Sequence, residues 1–297
     1  MADQSGEQRS VCFLSGGLTI RGELRLPRNT SKPCPIVLLG HGLGALKEWT
    51  LPEVAEAFAK DGIAGLWFDY RNYGDSDGEP RDEVSHYGRL EDWHSAIRYA
   101  ETLPEIDGKS IGIWGTSLGG RDVLAMASID PRVKAVVAQT PVIKWTPSLA
   151  TRMSEYGDDV ERYHRELSDD RKKRALGAEP RYLPYVKESG NDAKAEYLGA
   201  MGAAELRNYK ARISLQSFQS SVLTDVAPLV KLISPRPLLF ILAEQDFLPG
   251  QREAYDAAED PKFLVTIEGN HFSPYGNSKK EAIDAAKEWF IEYLIDK

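Results

Sequence analysis

At 297 residues, 42% hydrophobic and 28% charged, the chain has an ordinary globular composition and is long enough for one large α/β domain or two small ones. A net charge of −8 argues against nucleic acid or an anionic membrane as the main partner, and no stretch approaches the ~20 apolar residues of a spanning helix. Met1 to Ser10 lack an apolar h-region, and Cys12 and Cys34 have no metal-like spacing, so buried reduced thiols and a reducing, cytoplasmic setting are expected.

Val11 to Leu14 and Leu18 to Leu26 alternate around Ser15-Gly16-Gly17, which predicts a β-hairpin. Pro35 to Leu39 is a continuous apolar run, the pattern of a strand buried on both faces, and it ends in Gly40-His41-Gly42-Leu43-Gly44. A helix through Val54, Ala57 and Phe58 follows, then a second buried strand, Ile63 to Phe68, running into Asp69-Tyr70-Arg71-Asn72-Tyr73-Gly74-Asp75-Ser76-Asp77-Gly78. Leu90, Trp93, Ile97 and Ala100 recur at helical spacing until Pro104. Lys109 to Trp114 reads as another buried strand, Leu118 to about Ser128 as a helix, and Val133 to Ala138 as a strand. Short buried strands alternating with helices predict an α/β fold, a mostly parallel, doubly wound sheet. Ligands in such sheets lie beyond the carboxyl ends of the strands, where His41, Asp69 and Ser117 fall.

Residues 142–220 break the pattern. They are charge-rich and hold six of the chain's 13 tyrosines, which predicts a helical lid inserted between core segments 1–141 and 221–297. Trp145, Met153, Tyr156 and Tyr185 are the residues expected to line a substrate pocket. The core pattern resumes with a helix, Val222 to Ile233, and a strand, Pro237 to Leu242, ending in Ala243-Glu244-Gln245-Asp246. A further strand, Lys262 to Ile267, ends in Glu268-Gly269-Asn270-His271-Phe272, and a last helix turns Ile283, Ala286, Phe290 and Leu294 inward.

The chemistry concentrates at Gly115-Thr116-Ser117-Leu118-Gly119-Gly120, a serine between glycines at a strand-to-helix turn. Such an elbow strains the serine backbone and sets it at a helix N-terminus, where free N–H groups favour developing negative charge. Acyl transfer also needs a base, a group that orients the base, and oxyanion donors. Of the five histidines, His271 follows a strand directly. His94 and His86 belong to a helix, His164 to the lid and His41 to another loop. Asp246, at the end of the preceding strand, is preferred to Glu244 as the orienting carboxylate.

The order Ser117, Asp246, His271 resembles that of α/β-hydrolases. With Gly40-His41-Gly42-Leu43-Gly44 and the Phe68 to Ser76 segment, the resemblance runs from about Val11 to the C-terminus. The chain is similar to the dienelactone-hydrolase-like and peptidase-S15-like branches, including polyketide-cluster thiohydrolases and acyl transferases. The resemblance implies an oxyanion hole from the backbone N–H groups of Leu43 and Leu118, a structural His41, and Asp69 and Arg71 bracing their loop, with substrate contact as the alternative for those two. It implies ester or thioester chemistry on a small-molecule substrate whose acyl group a carrier could deliver, without cofactor or metal, and the tyrosines of residues 142–220 suggest that this group is large and apolar or aromatic. Acyl transfer, lactone formation, or a non-hydrolytic isomerase or binding role are its alternatives, and a homodimer is compatible with it. Arg121-Asp122 departs from many relatives and is expected to form a surface ion pair rather than to bind a substrate carboxylate. Gly40 to Ala45 formally fits a dinucleotide-binding turn, but that reading leaves the Ser/Asp/His order unexplained. Asp75-Ser76-Asp77-Gly78 lacks the frame of a calcium loop and reads as a turn.

Overall fold

The computed structural model describes residues 6–28, 32–146, 156–184, 209–222 and 224–296. Strands β1 (Gln8–Ser15) and β2 (Leu18–Arg25) form the expected hairpin, in which Val11, Phe13 and Ser15 turn inward. The same alternation turns Cys12 outward, so of the two free thiols only Cys34 is buried. Next come β3 (Cys34–Gly40), α1 (Leu51–Lys60), β4 (Ala64–Phe68), α2 (His86–Glu101), β5 (Ile106–Thr116), α3 (Leu118–Ile129) and β6 (Val133–Gln139). One eight-stranded sheet has the order β1-β2-β4-β3-β5-β6-β9-β10, where β9 is Leu238–Gln245 and β10 is Lys262–Asn270. From β4 to β10 every neighbouring pair is parallel, and the hairpin joins antiparallel through β2. The strand that leads into the elbow, β5, lies inside the sheet between β3 and β6.

The continuous apolar runs are explained by burial on both faces. On β3, Ile36 and Leu38 enter one core with Phe68, Trp93 and Val123, whereas Val37 and Leu39 enter the opposite core with Phe58, Trp114 and Phe290. Each such side chain contributes about 1.5–3 kcal/mol by leaving water. Helix α2 starts where the Ser85 hydroxyl accepts the Gly88 N–H at 3.1 Å, a cap that satisfies an otherwise orphaned donor.

A third apolar cluster lies at the elbow end and joins Leu43, Trp49 and Leu118 to Trp145 and other residues of the 142–220 segment. There α4 (Val160–Ala175) is followed by two three-residue strands, β7 (Tyr182–Pro184) and β8 (Arg212–Ser214), paired antiparallel, and by α5 (Leu215–Val222). The strands were not expected, because three residues are too few to show a period of two. Ion pairs fasten these elements to the loop before α2: Arg174 to Glu83 at 2.8 Å and Arg212 to Asp82 at 2.7 Å.

The helix expected over Val222 to Ile233 is instead the end of α5 and a separate 3-10 turn, Ala227–Leu232. Pro228 in the interior of one long helix would clash with the preceding turn, whereas in a first turn its missing N–H costs nothing. A short helix, α6 (Gln251–Ala257), follows β9, and α7 (Lys279–Phe290) buries Ala286 and Phe290 as expected, with Ile283 half-buried and the buried Leu294 on a separate π-helical turn, Ile291–Ile295. Among the described residues no helix is long and apolar enough to cross a membrane.

Candidate active site

Ser117 has φ 55° and ψ −116°, outside the ordinary regions for a residue with a side chain. Neighbouring main chain holds it there. Its N–H donates to Gln139 O at 2.9 Å, and its carbonyl accepts from Val142 N at 2.9 Å. The turn closes this tightly because Gly119 has no side chain: a Cβ there would lie 2.4 Å from Gly40 O. Ser117 stands at the N-cap of α3 but its side chain makes no capping bond. Its Oγ instead faces His271 Nε2 at 3.2 Å.

His271 follows β10, whose register shifts between Ile267 and Asn270. It is 4% exposed. Its Nδ1–H donates to Asp246 Oδ2 at 2.9 Å, a tautomer that leaves Nε2 as the acceptor facing Ser117. The carboxylate is fully engaged: Oδ1 accepts Leu248 N at 2.9 Å, and Oδ2 also accepts Gln251 Nε2 at 3.0 Å. Glu244, the other acid considered, is exposed to solvent on β9.

The loop after β3 passes directly over the serine. A Cβ on Gly42 would lie 3.0 Å from Ser117 Cβ and 3.5 Å from Oγ. Leu43 and Leu118, the two residues expected to supply oxyanion donors, flank this contact and are both buried. His41 is buried, and its Nδ1–H donates to Gly42 O at 3.0 Å. Burial and nearby Arg89 push its ring down to about 3, so it is neutral. Lys47 anchors the far end of the loop: its N–H reaches Asp69 Oδ1 at 2.8 Å and its Nζ reaches Asp69 Oδ2 at 2.9 Å. Glu48, Asp69 and Asp75 are close enough together to hold a cation, and the Lys47 ammonium bonds to all three. Arg71 braces the same region through Asp92 at 2.7 Å.

The pocket at Ser117 is apolar. Leu43, Trp49, Val142, Trp145 and Leu248 form much of its wall, and among the described residues none that lines it is Asp, Glu, Lys or Arg. Phe247, Phe272 and Tyr275 also line it and surround His271, with ring centroids 5.0, 5.2 and 6.2 Å away. The Tyr275 hydroxyl bonds Thr116 Oγ1 at 2.5 Å, which ties the turn after β10 to the end of β5. Burial pushes this phenol up to about 12. The aromatic surround was not anticipated, although Phe247 and Phe272 directly follow Asp246 and His271 in sequence.

Of the expected lid contacts, Trp145 lines the pocket. Tyr156 does not: it packs on Tyr163, and its hydroxyl donates to Glu166 at 2.6 Å. Met153 and Tyr185 lie outside the described residues. The expectation of a surface ion pair at Arg121-Asp122 is corrected. Both are buried, at 3% and 0% exposure, because α2 packs across α3 and covers them.

The α/β hydrolase fold family matches the chain over residues 35–277. A polyketide transferase, grgF, of Penicillium sp. is 33% identical over 261 residues, covering 85% of both chains. The crystal structure of that Penicillium protein superposes with a TM-score of 0.83 over 97% of this chain and 99% of its own, at 29% identity. A thiohydrolase, aneE, of Aspergillus aculeatus is 28% identical over 296 residues, covering 94% of this chain and 91% of its own. A hypothetical protein of Pseudomonas aeruginosa has a TM-score of 0.84 at 28% identity, over 99% of this chain and 95% of that one.

Proposed function

The chain belongs to the α/β hydrolase fold family, and from that premise we propose that it is a serine enzyme that cleaves esters or thioesters through a covalent acyl-enzyme. The observation that carries this reading is the run of contacts from Asp246 Oδ2 to His271 Nδ1 at 2.9 Å, and from His271 Nε2 to Ser117 Oγ at 3.2 Å. His271 Nε2 takes the hydroxyl proton as Ser117 Oγ attacks the acyl carbon. Asp246 holds the ring's tautomer and stabilises the imidazolium. The oxyanion is received by the N–H groups of Leu43 and Leu118, each such donor contributing about 3 kcal/mol in the transition state. The imidazolium then protonates the leaving alcohol or thiol, and water, activated by the same ring, releases the acid.

The apolar lining supports a bulky, uncharged acyl group, and residues 142–220, through Trp145, act as the lid that shapes its pocket. The relatives named thiohydrolase and polyketide transferase support a polyketide-like acyl chain, presented free or on a carrier. Transfer to an alcohol or amine uses the same intermediate, with the acceptor in place of water. The free thiols support a cytosolic setting.

A fluorophosphonate probe should label wild-type protein at Ser117, and Ser117→Ala should lose roughly 10⁴-fold or more of turnover. Undiminished turnover in that variant sinks the covalent mechanism. A panel of short and bulky p-nitrophenyl esters and thioesters, run with and without added alcohols, separates hydrolysis from transfer. Short-chain esters outperforming every bulky substrate would overturn the acyl-group assignment.

A further inference from the structure

Beneath the serine lies a buried charge cluster that the acyl-transfer steps do not use. Arg89 on α2 is 1% exposed. Its Nε donates to Asp122 Oδ2 on α3 at 2.7 Å, and its Nη2 donates to the main-chain carbonyl of His41 at 3.0 Å. The guanidinium carbon sits 3.4 Å from the centroid of the Tyr70 ring. Arg121, which follows Ser117 by one turn of α3, takes the other Asp122 oxygen through Nη2 at 2.5 Å. Its Nη1 meets His86 Nδ1, and Thr224 Oγ1 at 3.1 Å. Burial and the two arginines hold His86 neutral, pushed down to about 2. Among the described residues the cluster therefore opposes two guanidinium groups to one carboxylate, an excess of one positive charge out of reach of water.

Stability alone does not call for this arrangement, since a buried ion pair is often matched by apolar residues of similar volume. What the arginine fork adds is a connection. One planar head group ties α2, the helix opening at the elbow and the first residue of the Gly42-Leu43 loop. That loop has little slack, as the 3.0 Å approach of a Gly42 Cβ to Ser117 shows. A lysine, with a single compact charge, cannot span the carboxylate and the carbonyl in the same way. We infer that Arg89 is a positioning residue for the oxyanion site: it sets the His41-Gly42-Leu43 main chain against Ser117, and the excess positive charge of the cluster favours the anion that forms there. This inference rests on the serine-enzyme reading above.

Arg89→Met tests it, because Asp122 keeps Arg121 as a partner and no buried charge is left unpaired. Steady-state rates on a p-nitrophenyl ester are measured beside inhibition by an alkyl boronic acid, whose tetrahedral adduct with serine carries negative charge. Turnover per folded molecule should fall about 100-fold with KM within about 3-fold, on the scale of losing one oxyanion donor. Boronic acid affinity should fall in parallel, and Arg89→Lys should restore part of both. A lower thermal midpoint with kcat and boronic acid affinity within about 3-fold of wild type is the signature of a purely structural role and overturns the inference. Should Arg89→Met not fold, Arg89→Lys decides: a joint fall in kcat and boronic acid affinity supports positioning, and wild-type values for both overturn it. A wild-type protein that neither turns over esters nor reacts with fluorophosphonate fails at the earlier step, and this inference falls with it.

Discussion

Gly42→Ala probes the site with a single methyl group. The added carbon would stand 3.0 Å from Ser117 Cβ, 3.5 Å from Oγ and 3.6 Å from Thr116 O. Non-bonded carbons settle near 3.5–4.0 Å, so the loop or the serine must move by roughly half an ångström. Oxyanion donors act within about 2.7–3.1 Å of the developing charge, a window narrower than that displacement. If Leu43 N–H, on the very next residue, is the proposed oxyanion donor, it is moved out of reach. We expect a loss of about 3 kcal/mol in the transition state, or roughly 10²-fold in kcat. Overpacking costs stability as well, about 1–3 kcal/mol, which lowers the thermal midpoint by several degrees. The assay is kcat on a p-nitrophenyl ester beside the rate of fluorophosphonate labelling, both per folded molecule. Both should fall together. Turnover within about 3-fold of wild type would refute the assignment of Leu43 to the oxyanion site.

Asp246→Asn keeps the shape of the orienting group but frees His271 to adopt the wrong tautomer, and should lower kcat by about 10²–10⁴-fold with little change in thermal midpoint. Normal turnover in that variant would move the orienting role elsewhere. Trp145→Ala should raise KM for bulky acyl esters by about 10- to 100-fold while leaving acetate esters within about 3-fold, as expected for lost apolar contact. Equal effects on both would place Trp145 outside the acyl pocket. His41 and His86 are held down to about 3 and about 2 when folded. The unfolded chain takes up their protons below about pH 6.5, so the stability they contribute is whole above that pH and is lost toward pH 3. The slope is about 1.4 kcal/mol per pH unit for each histidine. Asp69, raised to about 6 by burial, acts in the opposite sense between about pH 4 and 6 and shallows the curve there. Urea midpoints from pH 7 to 4 should fall, and should fall less steeply in His86→Gln. An unchanged slope in that variant contradicts the buried neutral ring.

Most of the sheet was legible because its strands, buried on both faces, carry continuous apolar runs that little else in the chain imitates. Ser117, Asp246 and His271 were legible for a different reason: chain order and strand ends bring them together without any knowledge of the lid. What escaped was whatever tertiary contact decides. Arg121 and Asp122 look like surface charges until α2 lies across them. Phe247, Phe272 and Tyr275 read as scattered aromatics until the turns after β9 and β10 converge on one imidazole. Tyr156 shows the reverse case, a plausible pocket residue claimed by its own local packing on Tyr163. In the 142–220 segment, elements of three residues carry no periodicity to read.

The sheet order places its working parts unequally. Ser117 leaves β5, which has a strand on each side, whereas His271 leaves β10, which has one neighbour in the sheet and among whose residues only Ile267 is fully buried. Ser117 and His271 therefore belong to regions of different protection against local opening. Fraying of the outer strand would carry His271 away while Ser117, its strained turn and the surrounding core remain intact. Mild heat or denaturant should then produce a folded, silent protein that regains turnover as soon as the edge closes. On the proposed mechanism, the working lifetime of the site would then follow its outermost strand rather than its core.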